Sequence, residues 1–435
     1  MKRPPGSRGL PILGETLPFL RDQPRYIADR VQRHGRVFYT HLFGRDTIAL
    51  IGAEGNRFVL TDGMKALRWK DGWPPTFPAL IGDVLLLQDG ELHRKKRNLL
   101  MPAMHLQAVE SYVRTMEERL LANLPKWEKA GRFAWYEAFN RLTFEVSSAL
   151  FLGVDASEGD DGLNKKIVDW MGGLMALPID LGPLTAFGRA KRLRAELLAH
   201  VGRAIEERKR HPEKDALGLL VGFTDDQGDS LTDVELQAQA LFLVAAGFET
   251  TSSLLTYMAY ALATNSDVLS RAREEQRQLG IDGPLTLDQL KRMTYLDQIV
   301  TEVERMYAPI SFGMRGAEHD CEFGGYAIPA GWRVLFSIDA THKDPEYFTD
   351  PERFDPDRFA GNSKDRNTFR LVGFGGGPRA CPGMMMARTQ AKVIGSHLLR
   401  HYDWSIDANQ DFRVDFLPAR KPRGGMRTTF QRIRS

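Results

Sequence analysis

Between Thr232 and about Thr264 the chain carries its longest helical pattern, opened by Thr232 and Glu235 in the spacing of a capping box. A helix of roughly thirty residues is about 45 Å long, enough to cross a whole globular molecule. Its middle reads Ala245-Ala246-Gly247-Phe248-Glu249-Thr250-Thr251 and is apolar on both sides. An acid followed by two hydroxyl residues is costly in such surroundings unless it has a task or partners. Ala246 and Gly247 are small enough to let something flat approach the backbone. Thr250 is also able to bond back to a carbonyl one turn earlier and open the helix, an ordinary use of a mid-helix threonine.

The second constraint is Phe374-Gly375-Gly376-Gly377-Pro378-Arg379-Ala380-Cys381-Pro382-Gly383, followed by a helix-like run from Met384. Glycines let the backbone approach closely, Arg379 lies two residues before the cysteine, and a helix start follows, so a thiolate at Cys381 is favoured. The only other cysteine is Cys321, which leaves a zinc or iron-sulfur site without enough ligands. One thiolate suffices as the axial ligand of a haem. A dinucleotide-binding loop fails because Pro378 and Cys381 stand where the phosphate-binding helix would begin. A buried structural cysteine is a common fate for a lone Cys, and the patterned neighbours weigh against it. The order Phe374, Gly377, Arg379, Cys381, Gly383 resembles the haem-binding loop of the cytochrome P450 family.

Composition narrows the rest. With 43% hydrophobic and 26% charged residues over 435 positions, there is ample material for a large core. A net charge of +3 from 59 basic and 56 acidic residues is too balanced for a nucleic-acid partner. Two cysteines in so long a chain argue for a reducing compartment, and the cytoplasm is the expected one. The N-terminal stretch is broken by Pro4, Pro5, Gly9 and Pro11 and holds no apolar run fit for a signal or a membrane span.

Further features fall in the order the family would require. Arg36–Leu42 and Asp46–Ile51 alternate around Phe43-Gly44-Arg45 as a hairpin. His93 and Arg97 lie one turn apart on a helical stretch, so both can donate to one anion. The resemblance implies that they clasp a haem propionate and that Arg315 binds the second. It implies further that Thr250 supports oxygen activation while Glu249 relays protons, and that Ala246 faces the haem. Glu302 and Arg305, three apart on a helix, would form a structural lock completed by an arginine from a later loop. Arg358 fits that place better than its neighbour Arg353, because Phe354-Asp355-Pro356-Asp357-Arg358-Phe359 has the family's form. The helical run from Leu163 to Lys209 is broken at Gly172-Gly173, Leu177-Pro178 and Gly182-Pro183, which suits a mobile lid or an ordinary helix pair. His397 and His401 lack the glutamate and third ligand of a zinc protease and read as a surface helix end.

The fold implied is mainly α: one cytochrome P450 domain over 1–435, a small β-rich lobe at roughly 36–70 plus 310–335, and haem between the long helix and the helix after Cys381. The cofactor expected is haem b, iron protoporphyrin IX, bound through Cys381, His93, Arg97, Arg315, Phe374, Arg379, Ala246 and Gly383. Stretches such as Thr40-His41-Leu42-Phe43-Gly44-Arg45 and His401-Tyr402-Asp403-Trp404 resemble the retinoic acid hydroxylase branch and its soluble cyanobacterial relatives. The activity implied is insertion of one oxygen atom into a lipophilic substrate: a retinoid, another terpenoid or a fatty acid. Phe77, Leu80, Leu174, Met175, Phe242, Phe312 and Met314 are the expected lining of its pocket. No flavin or iron-sulfur module is read in the chain, so a ferredoxin or flavodoxin and its reductase are the expected electron source, with Lys95, Lys96 and Arg388 as docking contacts. The protein is expected to be a monomer. Competing readings are a peroxide-driven peroxygenase, against which Glu249-Thr250 speaks, and a haem-binding sensor or carrier, which would not need Thr250.

Overall fold

The capping pair forms as the sequence reads. In a computed structural model describing residues 2–11, 13–154, 161–361 and 368–433, the Thr232 amide donates to the Glu235 carboxylate at 2.9 Å and the Glu235 amide donates to Thr232 Oγ1 at 3.3 Å. The helix they open runs Asp233–Thr264. It is buried nearly all round, as its two-sided apolar pattern requires, with 78% of its most apolar stretch covered. Thr286 and Gln289 cap a later helix, Leu287–Arg292, in the same reciprocal way.

The chain divides into two compact units, which we describe separately. The first comprises Met1–Lys95, Ile310–Arg353 and Asn362–Cys381. Its centre is a five-stranded sheet in the order Val37–Leu42, Arg45–Leu50, Arg333–Ser337, Phe312–Ala317, Leu67–Arg68. The first pair is the predicted hairpin, with Leu42 opposite Arg45, and only the pairing of Arg45–Leu50 with Arg333–Ser337 is parallel. On this sheet Phe312 packs edge-on to Phe19 at 5.0 Å, and Trp73 stacks on Phe77 at 4.7 Å. Glu15 is buried nearby, yet its carboxylate accepts from Tyr26 at 2.6 Å, Thr40 at 2.9 Å and Arg30 at 2.6 Å. Burial works to raise its pKa, and these three partners outweigh that and hold it below the ordinary value.

The second unit, Lys96–Pro309, Phe354–Gly361 and Pro382–Ser435, is helical. The long helix packs against Trp135–Leu152 and Ala186–Arg210, with Thr294–Met306 and Met384–His401 completing the bundle. A three-stranded sheet of Arg132–Ala134, Arg427–Arg432 and Tyr402–Ile406 closes one end. Its seam is aromatic: Trp135 stacks on Phe139 at 4.7 Å and meets Trp404 and Phe430 edge-on. The glycine and proline breaks after residue 172 fall between Asp161–Gly172 and Ala186–Arg210, leaving Leu177, Ile179, Leu181 and Leu184 exposed.

Candidate active site

In the first unit the Cys381 loop is shaped by its glycines. Gly375 and Gly377 adopt φ of +71° and +55°, and a Cβ at Gly377 would lie 2.6 Å from Thr61 Cγ2. The Cys381 amide donates to Phe374 O at 2.7 Å, and the Gly375 amide donates to Val372 O at 2.8 Å. Val372, where the loop begins, donates its amide to His342 Nε2 at 2.9 Å. The turn thus tied presents Cys381 as an exposed residue, while Arg379 reaches inward to Gln88 O and to the Asp89 carboxylate. Gly383 begins the helix Met384–His401 in the second unit.

Asp89 also accepts from the Trp69 amide at 2.9 Å, and the Trp69 ring lies beneath the Arg315 guanidinium, 3.3 Å from its centroid. Arg315 is 2% exposed, and both of its terminal nitrogens lack a hydrogen-bond acceptor among the described residues, as does Trp69 Nε1. Burial, reinforced by the positive charge of Arg379, pushes the Arg315 guanidinium well below its usual range. Buried donors converging without an acceptor call for an anion, and a carboxylate matches the planar fork of arginine. Trp69 and Asp89 are members of this cluster that sequence reading misses. His93, buried, and Arg97, half-exposed, both lie on the helix Gly90–Leu100, four residues apart.

In the second unit, the buried middle of the long helix breaks open along one line. Phe242, Ala246, Gly247 and Thr250 are half-exposed while the residues between them are buried. Their spacing of four, one and three places them on a single face. Thr250 Oγ1 donates to Ala246 O at 2.7 Å, so the back-bond foreseen as the ordinary use of this threonine is present, and its hydroxyl lies on that half-exposed face. Glu249 points elsewhere. It is 7% exposed and accepts from the Tyr136 hydroxyl at 2.7 Å. Burial raises the pKa of Glu249, against the hydrogen bond from Tyr136 and the nearby Lys421 charge.

The helix Thr294–Met306 brings Glu302 and Arg305 together. Arg305 grips Glu302 with two bonds of 2.7 Å, both residues being fully buried. Arg358 meets Glu302, Nε to Oε1 at 3.4 Å, and the Asp355 amide donates to the same oxygen at 2.9 Å.

The predicted pocket residues divide between the units. Phe77, Leu80, Phe312 and Met314 belong to the first, where Leu80 and Met314 are fully enclosed and Phe77 is half-exposed. Leu174, Met175 and Phe242 belong to the second; Leu174 is buried and Met175 half-exposed.

Three surface assignments need correction. Arg388 is buried, held by Asp297 at 2.8 Å, Thr301 at 2.7 Å and Glu304 at 3.4 Å, and offers no docking charge. Lys96 pairs with Glu235 at 2.5 Å and is largely covered. His397 is no surface residue either: it is buried and bonded through Nε2 to Glu117 at 2.7 Å.

A family model described as Cytochrome P450 matches residues 4–421. A putative cytochrome P450 120 of Synechocystis is 38% identical over 98% of this chain and 96% of the relative. Cytochrome P450 26A1 of Gallus gallus is 32% identical over 93% of this chain and 85% of the relative. Among solved structures, retinoic acid bound cyanobacterial CYP120A1 superposes with a TM-score of 0.93 at 37% identity, covering all of both chains.

Proposed function

The chain belongs to the cytochrome P450 family, whose members are haem-iron monooxygenases, and from that premise we propose that it hydroxylates a long lipophilic substrate, a retinoid or another terpenoid ahead of a fatty acid. The observation that carries this reading is the half-exposed line Phe242, Ala246, Gly247 and Thr250 on an otherwise buried helix. It offers apolar, small surface ending at one hydroxyl, which suits a hydrocarbon and excludes a charged ligand body. Support comes from the similar structure, which holds retinoic acid.

The residues present fit a haem. Arg315, Trp69 and Arg379 offer a buried cationic cradle for a carboxylate, and Cys381 offers a thiolate on a glycine-built turn. The group proposed is haem b, which Cys381 would hold through its sulfur and His93, Arg97, Arg315 and Arg379 through their charge, with Phe374, Gly383 and Ala246 as the further residues that would bind it. When bound, it supplies the oxygen chemistry. The protein's share is positional. Thr250 Oγ1, now donating to Ala246 O, can turn that proton toward the substrate side, and the adjoining Glu249 carboxyl can hold the proton that replaces it. Glu302, Arg305 and Arg358 keep their elements in register as the lock. The apolar lining would come from Phe77, Leu80, Leu174, Met175, Phe242, Phe312 and Met314.

Electrons would come from a ferredoxin or flavodoxin with its reductase; of the three cations first considered, Lys95 alone is exposed. The two units would act as one catalytic domain in a cytoplasmic monomer. A peroxygenase reading is disfavoured by the acid and hydroxyl pair.

Two outcomes test this. Retinoic acid or a related terpenoid shifts the Soret band of the holoprotein toward high spin more strongly than camphor does; tight binding of small rigid terpenes with no shift from retinoids or long fatty acids would refute the substrate class. Thr250→Ala keeps the haem spectrum and substrate binding but lowers product per electron by about tenfold or more, the remainder appearing as peroxide. An unchanged yield would remove Thr250 from its role.

A further inference from the structure

Glu249 and Thr250 are neighbours in sequence, but the helix turns them about 100° apart. The hydroxyl lies on the half-exposed line, whereas the carboxyl is drawn toward the helix Trp135–Leu152 by a 2.7 Å bond from Tyr136. Asn140, one turn further along that helix, lies near this carboxyl, and Lys421 adds a positive charge from the strand Lys421–Pro422. Tyr136 itself sits at the start of its helix, with its amide donating to Gly425 O at 2.9 Å. Ser252, whose hydroxyl donates to Glu249 O at 2.9 Å, and the exposed Glu137 lie near it. The acid is thus turned toward the helix Trp135–Leu152 and held there by the buried Tyr136 hydroxyl.

We infer that Tyr136 is the positioning residue of Glu249, fixing its carboxyl and relaying protons to it from the side of Asn140 and Lys421. The inference rests on the proton role proposed for Glu249. The step is balanced: Tyr136 Oη–H passes its proton to a Glu249 carboxylate oxygen while Tyr136 Oη takes one from a hydronium ion of the solvent, which is left as water, so one proton moves from solvent to Glu249 and the phenol is restored. The phenol never becomes a free phenolate, in keeping with burial and the Glu249 charge, which push its pKa upward.

The test is Tyr136→Phe in the full-length holoprotein, with Glu249→Gln and the double variant alongside. The first readout needs no turnover: the Glu249 carboxyl band, identified by its loss in Glu249→Gln, is followed by infrared difference spectroscopy against pH. Removing a donor from a buried carboxylate disfavours the charged form, so the midpoint rises by about one to two pH units. Asn140 and Lys421 remain in place and set the residual value. The second readout is product per electron, which falls several-fold in Tyr136→Phe with an enlarged solvent deuterium isotope effect; in the Glu249→Gln background the tyrosine change adds nothing further. An unmoved infrared midpoint, or losses that simply multiply in the double variant, would overturn the inference. If Glu249→Gln alone leaves product yield intact, the proton role of Glu249 falls instead, and the infrared midpoint still reports whether Tyr136 governs the carboxyl.

Discussion

Replacing Cys381 by serine abolishes the absorption band that marks thiolate ligation in the reduced carbon monoxide complex and takes product formation to background. The loop geometry explains the size of the effect. Its glycines, the Cys381 amide bond to Phe374 O and the inward anchor of Arg379 fix one backbone position at which a sulfur is presented, and no neighbouring side chain on that turn is a soft ligand. Serine keeps the turn but not the charge or softness of a thiolate. Cys321→Ser changes neither observable, because Cys321 is half-buried on the strand Cys321–Phe323, where burial and Asp320 raise its pKa and keep it protonated. Survival of the band in Cys381→Ser and Cys381→His would overturn the assignment.

The second large effect concerns stability. Arg305→Met removes the two 2.7 Å bonds to Glu302, a carboxylate of zero exposure that also meets Arg358 at 3.4 Å and the Asp355 amide. Breaking one side of such a buried pair destabilises by about 3–5 kcal/mol. A marked fall in the urea midpoint, with loss of haem at ordinary temperature, is the expected measurement. Adding Glu302→Gln to Arg305→Met recovers part of the loss, since the stranded charge is then gone. Arg305→Lys falls between, because a point charge cannot make both bonds. A midpoint within experimental scatter of the wild type would show that the pair is not structural.

The features legible in the sequence are those written in short, local patterns. Thr232 with Glu235, Thr286 with Gln289, Glu302 with Arg305, and the glycines before Cys381 all act across four residues or fewer in helices, or along one turn, so spacing alone announces them. Tyr136 meets Glu249 across 113 residues, and Trp69 meets Arg315 only after distant strands pair. No local pattern carries either meeting. The same blindness explains the misread charges. A basic residue on a helix reads as solvated until tertiary packing shows what faces it, and Arg388 faces Asp297, Thr301 and Glu304 from another helix. His397 pairs with Glu117 across 280 residues.

The long central helix also bears on how the chain is made. As it leaves the ribosome, Asp233–Thr264 is as apolar as a membrane span. Some of what will cover it does not yet exist: Trp404, whose indole donates to Ala259 O at 2.9 Å, is translated more than a hundred residues later. A nascent segment of this kind is a candidate for capture by the lipid-insertion machinery. Glu249 stands near its middle, where an ionised side chain costs on the order of 3 kcal/mol at the centre of a bilayer. The carboxyl therefore weighs against lipid insertion of the unfinished chain at a stage when Lys421, whose charge lies near it in the folded protein, has not yet been translated.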